Sequence, residues 1–372
     1  MNKIKLISLF SVLFSLVFLS GCSLNIKTKG GTTLDGGVYI SNNKGDVWRQ
    51  MPYIPTISGA PGSIASVDVK KMIVDPSDSG AVYLATIEDG LYYTYNVARG
   101  WNKVLSLPDS ATINDVAIDS KDKCNLFVAL ENKLYKSEDC GRNFVQTYYD
   151  NNADVLVSAV ALDHYNNNVV YLGTSRGDIL RSLDGGVSWK AIQRLTNGIE
   201  KIIVNPKDSR SVFVATSKNG IYKFNSAGGA TLEQLEQYRN QFDNTNWTDY
   251  NNELKEFSLG INFRDLIYSK QDGSLLLATD KVILRSFDEG ASWAKLSLLT
   301  PEKDSSINAI AVNPQNSQEL YYITSTSFYR SSDNGSTWTV KKLPTSRAGT
   351  SLLIDFNNPN IVYLGVKKIK NQ

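Results

Sequence analysis

Few side chains in this sequence could carry out chemistry by themselves. There is one histidine, His164, and there are three cysteines, Cys22, Cys124 and Cys140. Neither a histidine-rich metal centre nor a four-cysteine zinc site can be assembled from that count. His164 lies in the turn phrase DHYNNN (163–168) with no second ligand or base beside it, and is expected to be a surface turn residue. Carboxylates are plentiful. Glu88, Asp89, Glu131 and Asp178 fall on strand-connecting loops. A glycosidase needs two such groups across one bond, and no spacing singles out a pair. None of these residues implies a cofactor. The 39 basic residues balance 37 acidic ones, which excludes an electrostatic nucleic-acid binder as the default reading.

The elements that must position these groups begin after an export segment. Residues 1–5 carry Lys3 and Lys5, and residues 6–20 are apolar and uncharged. That order is a positive n-region followed by the apolar stretch of a secretory signal. The next residues, Leu19-Ser20-Gly21-Cys22, resemble the bacterial lipoprotein cleavage box. The resemblance implies removal of residues 1–21 and acylation of Cys22. Cleavage would leave 37 residues of each charge sign. Residues 23–33 are polar with a glycine pair, a flexible tether that lets acyl chains hold a folded domain at a membrane surface. Ser23, not Asp, follows the cysteine, which resembles the pattern sorted to the outer membrane in a cell with two membranes.

The remainder repeats. Five segments align without gaps: SNNKGDVW (41–48), SEDCGRNF (137–144), SLDGGVSW (182–189), SFDEGASW (286–293) and SSDNGSTW (331–338). They start at intervals of 96, 45, 104 and 45 residues, so the two wide gaps should each hide one more repeat. LYYTYNVARGW (91–101) supplies one, with Thr94, Asn96 and Trp101 near the expected places. IYKFNSAGG (221–229) supplies the other, its box replaced by an insertion at about 226–246. Within that insertion, residues 230–243 have helical spacing of Leu232, Leu235 and Tyr238. It could be functional or merely cap a weak turn.

The pattern Ser-x-Asp-x-Gly-x-Ser/Thr-Trp resembles the Asp-box, or bacterial neuraminidase repeat. Around each box an alternating run, a turn and a β-rich run precede the box, and a strand leaves its tryptophan: four short strands, A to D. Seven A-strands can be placed, at 64–74, 112–119, 157–163, 199–205, 261–269, 307–313 and 350–356. The last has a B-strand (361–366) but no C or D, and the N-terminal segment GGVYIS (36–41) with the strand after Trp48 supplies them. The expected fold is all-β: a seven-bladed propeller of four-stranded blades over residues 34–372, closed by pairing both chain ends in one blade. Asp139, Asp184, Asp288 and Asp333 are then structural, accepting backbone N–H groups at the C–D turn. Trp48, Trp189, Trp293 and Trp338 pack between strands. The spacing does not match a calcium-binding loop.

These repeats are similar to Asp-box propellers, a group including sialidases, sortilin-type receptors, xyloglucan hydrolases and photosystem II assembly-factor-like proteins. The phrase YRS or LRS before the box, with Arg181, Arg285 and Arg330, looks most like the assembly-factor group. That resemblance implies a non-enzymatic scaffold. A sialidase would carry a Phe/Tyr-Arg-Ile-Pro motif and six blades. The nearest string here, Asn262-Phe263-Arg264-Asp265, lacks the Ile-Pro.

Two further expectations follow from the blade geometry. Cys124 lies in the A–B turn of blade 3 and Cys140 in its C–D turn. Those turns share one end of a blade, so the cysteines could form a disulfide after export. The residue before each box serine is Lys136, Arg181, Lys223, Arg285 and Arg330 in blades 3 to 7. Equal radius would make them a basic arc, either locked in local pairs or steering an acidic partner. The resulting expectation is a monomeric, membrane-anchored, non-enzymatic assembly factor that binds a protein partner in the cell envelope. An exported glycan-binding or glycan-cleaving protein is the alternative.

Overall fold

The computed structural model describes residues 34–369 except 219, 226–246, 258–261 and 300–305. The signal, Cys22, the tether and the helical spacing at 230–243 lie outside the described residues. Seven four-stranded antiparallel sheets form the blades of a propeller. Blade 1 is the composite one. Its order is Arg49–Gln50, Gly37–Ser41, Val362–Lys367 and Ala348–Ile354, so an N-terminal strand pairs directly with the last one, Tyr39 opposite Leu364. Blades 2 to 7 begin with inner strands Asp68–Asp75, Ile113–Ile118, Val157–Leu162, Ile199–Val204, Phe263–Tyr268 and Ala309–Asn313. A short hairpin, Tyr53–Ile54 with Gly62–Ser63, links blades 1 and 2. A one-turn helix, Asn251–Leu254, follows the outer strand of blade 5; its run of Asn and Glu carries no helical periodicity and gave no signal in the sequence.

Position in the blade decides which strands are apolar. Val170–Thr174 and Leu275–Thr279 are buried at every residue, because a blade faces a neighbour on each side and its middle strands lose the in–out alternation. The rim strand Thr339–Lys342 is exposed throughout. Among the described residues the core consists of seven apolar clusters, one at each blade interface. The propeller is therefore held by packing between sheets, and each interface depends on its neighbours.

Each inner strand also carries one extra residue near its start. In blades 1 to 6 the pairing slips at Thr350, Lys70, Asn114, Ser158, Glu200 and Arg264. In blade 7 Asn308 donates its N–H to Ile323 O, the residue that already faces Ala309. Such bulges turn the extra side chain away from the ladder. Here they ring the propeller axis.

Candidate functional site

Two faces of the propeller hold the sequence-derived candidates. The C–D turns and the A–B turns lie on one face. In blade 7, Ser331 Oγ donates to Asp333 Oδ1 at 2.7 Å and accepts the N–H groups of Asp333 and Gly335. Asp333 then accepts Thr337 N–H at 2.8 Å and Thr337 Oγ1–H at 2.6 Å. These hydrogen bonds from Thr337 first, and then from Ser331, pull the Asp333 carboxyl down to about 2. Asp139, Asp184 and Asp288 close their turns in the same way. Each turn has two consecutive residues at positive φ: Asn334 and Gly335, Glu289 and Gly290, Cys140 and Gly141. The first need not be glycine, but the second leaves no room for a Cβ in places: one on Gly186 would meet Phe127 Cε1 at 2.8 Å.

Blade 2 has a complete box that the sequence only half revealed. Thr94 replaces the serine, Asn96 the aspartate and Ala98 the glycine, without a gap. Thr94 Oγ1 donates to Asn96 Oδ1 at 2.8 Å and Gly100 N–H to Asn96 Oδ1 at 3.1 Å. The tryptophans do more than pack against their own blade. Trp101 Nε1 donates to Met51 O, Trp189 to Thr147 O and Trp338 to Ser297 O, each in or just beyond the outer strand of the preceding blade. Trp48 meets Phe328 of blade 7 edge-on at 5.3 Å, and Trp293 is buried at the interface of blades 5 and 6. Cys124 and Cys140 are joined by a disulfide that ties the two turns of blade 3 together.

The basic residues before the boxes do not form an exposed arc. Arg181 and Arg285 are 4% and 2% exposed. Lys136 pairs with Glu138 at 2.6 Å, Arg285 with Asp272 at 2.6 Å and Arg330 with Glu319 at 3.0 Å. Lys223 pairs with Glu289 of the next blade. Glu138 lies in the box that Lys136 precedes, whereas Asp272 and Glu319 come from elsewhere in their blades and Glu289 from the next blade, so for those three the sequence position showed the cation without its counter-ion. Glu319 also takes Lys44 of blade 1 at 2.8 Å, which makes this rim a set of stitches between blades.

The axis holds a cavity of about 660 Å³, lined by the inner strands. Its charged walls went unremarked in the sequence, because Lys70, Glu200 and Arg264 become equivalent only once seven bulges are superposed. Lys71 pairs with Asp115 of the next blade, and Asp115 Oδ2 also accepts Val160 N–H at 3.2 Å. Lys201 pairs with Asp265 at 2.5 Å. Lys70 Nζ donates to Asn114 Oδ1 at 2.7 Å. Burial pulls the Lys70 ammonium down, with Asp115 opposing, and pushes the Glu200 carboxyl up, with Lys70 opposing. Burial works against Lys71 too, but Asp115 outweighs it and raises the ammonium.

The loop carboxylates are dispersed. Asp178 accepts Arg176 and Arg194, and Arg176 also reaches Asp150 at 2.8 Å. The Asp89 carboxyl is raised by burial, with Lys103 opposing and Asp68 nearby. Asp68 is already engaged by Arg347 Nη1 and the Lys368 N–H, both at 2.7 Å. His164 is half-buried, and burial lowers it. No group of three metal-ligating side chains occurs among the described residues.

With this geometry the comparisons can be weighed. The family model described as the DUF6242 β-propeller domain matches residues 61–325. The xyloglucanase Xgh74A of Acetivibrio thermocellus is 22% identical over 356 residues, 82% of this chain and 37% of that protein. The GH74 xyloglucanase structure from Xanthomonas campestris aligns with a TM-score of 0.62 at 16% identity, covering 81% of this chain and 51% of that one. A structure of YCF48 bound to D1 peptide aligns at 0.59 and 16% identity, covering 81% and 93%. At these identities the likeness to solved structures shows the fold. The chain spans only 37% of the length of the curated xyloglucanase it matches over most of its own length.

Proposed function

The chain belongs to the DUF6242 β-propeller domain family, and from that premise we propose that it is a non-enzymatic scaffold that binds a protein partner in the cell envelope. The observation that carries this reading is the state of the carboxylates. On the channel walls and the adjoining turns, Asp68, Asp115, Asp150, Asp178 and Asp265 each contact a cation. Acid–base hydrolysis needs one protonated and one free ionised carboxyl facing a common bond. Asp89 and Glu200 have raised pKa values, but Asp68 beside Asp89 is held by Arg347, and the other channel carboxylates, Asp115 and Asp265, are each held by a lysine. YCF48, which has a similar fold, is seen with a D1 peptide, and this supports a polypeptide as the class of partner.

The sequence likeness to xyloglucanases favours a second reading, glycan cleavage. Incubating the full-length chain with xyloglucan and measuring reducing ends separates the two. The scaffold reading expects no release above the buffer blank. Turnover that Asp89→Asn abolishes would establish the hydrolase.

Anchoring through an acylated Cys22 would hold the propeller at a membrane, the outer one in a two-membrane cell. Cys22→Ala should move the protein from the membrane fraction to the soluble fraction. Full retention of the variant in membranes would reject the lipid anchor.

A further inference from the structure

The seven bulge residues around the axis provide their own internal comparison. In four blades the side chain ties its strand to the inner strand of the next blade. Asn114 Nδ2 donates to Val157 O at 2.9 Å and Ser158 Oγ to Ile199 O at 2.6 Å. Asn308 Nδ2 donates to Gly349 O at 2.8 Å and Thr350 Oγ1 to Val69 O at 2.9 Å. The repeat therefore has a structural use for this position, and that use calls for a short neutral donor.

Blades 2, 5 and 6 depart from it with Lys70, Glu200 and Arg264. A carboxylate cannot donate to the neighbouring carbonyl. The side chains of Glu200 and Arg264 make no hydrogen bond or ion pair among the described residues, and the Lys70 ammonium donates only to the neutral Asn114. The other charges of the channel, Lys71 with Asp115 and Lys201 with Asp265, neutralise one another. Lys70 and Glu200 are close enough to feel each other's charge, yet they form no ion pair. What remains is an acceptor-only group and two donor-only groups facing one cavity of about 660 Å³.

We propose that the axial channel binds a zwitterionic ligand of the short-peptide class, its carboxylate held by Lys70 and Arg264 and its ammonium by Glu200. A simple anion would satisfy the two cations but would bring its charge against Glu200. A simple cation would satisfy Glu200 and be repelled by Lys70 and Arg264. A molecule with an ammonium at one end and a carboxylate at the other completes both sets with charge-assisted hydrogen bonds. The cavity is wide enough for more than a single amino acid, so the separation of the two charges is the variable to measure. This site goes beyond the scaffold reading and stands independently of it.

The test is calorimetry on the full-length chain in detergent, titrated in turn with glycine, diglycine, triglycine and tetraglycine, then with N-acetyl-triglycine amide. These probes lengthen the charge separation without adding side chains. Saturable binding by one unblocked length, and none by the blocked peptide, is the expected result. Glu200→Gln should weaken that binding about ten-fold, the effect of losing a hydrogen bond to a charged group. Its melting temperature should be unchanged, because Glu200 joins no blade to another. Lys70→Gln, which can still bond Asn114, should weaken binding similarly; if it unfolds, Glu200→Gln decides alone. No binding by any unblocked peptide, equal binding by the blocked one, or unchanged affinity in Glu200→Gln would overturn the proposal. Any of these outcomes leaves the protein-partner reading to its own test.

Discussion

Arg347→Met should lower the unfolding free energy by about 3–4 kcal/mol, through the loss of a buried guanidinium that closes the ring. Arg347 is 3% exposed and lies just before the inner strand of blade 1. Its Nε donates to Asp35 Oδ1 at 3.2 Å, and its Nη1 to Asp68 Oδ1 at 2.7 Å and Ser66 O at 3.2 Å. Asp35 Oδ2 also accepts Thr345 Oγ1, Ser346 N–H and Ser346 Oγ. One side chain at the start of blade 1's inner strand thus joins the first described residues to the entry of blade 2. The approach is so close that a Cβ on Gly36 would fall 2.4 Å from Arg347 Nη1. Methionine would leave two carboxylates without their shared cation. Both are about a quarter exposed, which places the loss towards the lower end of the range for broken buried pairs. Arg347→Lys should recover only part of it, since one ammonium cannot reproduce the two-pronged contact. Urea unfolding of the three proteins measures this; a Met variant within about 0.5 kcal/mol of the parent, the ordinary scatter of surface substitutions, would show that closure does not depend on this clasp.

Trp101→Ala should cost a similar amount, about 3–5 kcal/mol, for the cavity left by a fully enclosed indole. Trp101 has no exposed surface and packs with Ile64, Val82, Leu84 and Tyr363 between blades 1 and 2. Its Nε1–H is also the partner of Met51 O at 2.9 Å. Trp101→Phe keeps most of the packing and strands that carbonyl, so its loss should fall between parent and alanine, near the ~1–3 kcal/mol of an unmade buried hydrogen bond. If phenylalanine proves as damaging as alanine, the ring shape and not the donor controls the interface. If alanine is nearly silent, the box tryptophans are not what joins one blade to the next.

What could be read in the sequence was what a few neighbouring residues decide among themselves. The box closes through Ser331, Asp333, Gly335 and Thr337, all within one turn, so its chemistry is written consecutively. Blade closure could be deduced because the last blade lacked two strands and the N-terminus had two to spare. The meeting of Cys124 and Cys140 followed from two turns sharing a blade end. Contacts assembled from distant segments could not be read. For the cations at 223, 285 and 330 the sequence left local pairing and a steering surface both open, and only the fold brings Glu289, Asp272 and Glu319 to meet them. Arg347 gave no signal, because Asp35 and Asp68 lie some three hundred residues away along the chain. The channel charges stayed hidden because a bulge is a property of strand pairing. Only the superposed blades show that Lys70, Glu200 and Arg264 stand where Asn114, Ser158, Asn308 and Thr350 do structural work.

The central claim, a propeller that binds protein and does not hydrolyse glycan, is tested most directly by affinity purification of the tagged full-length chain from detergent-solubilised membranes, with bound proteins quantified against it. The account predicts one envelope protein or complex recovered in fixed proportion to the chain and competed away by excess untagged propeller. Recovery of the chain alone, by a preparation that releases reducing ends from xyloglucan, would contradict it.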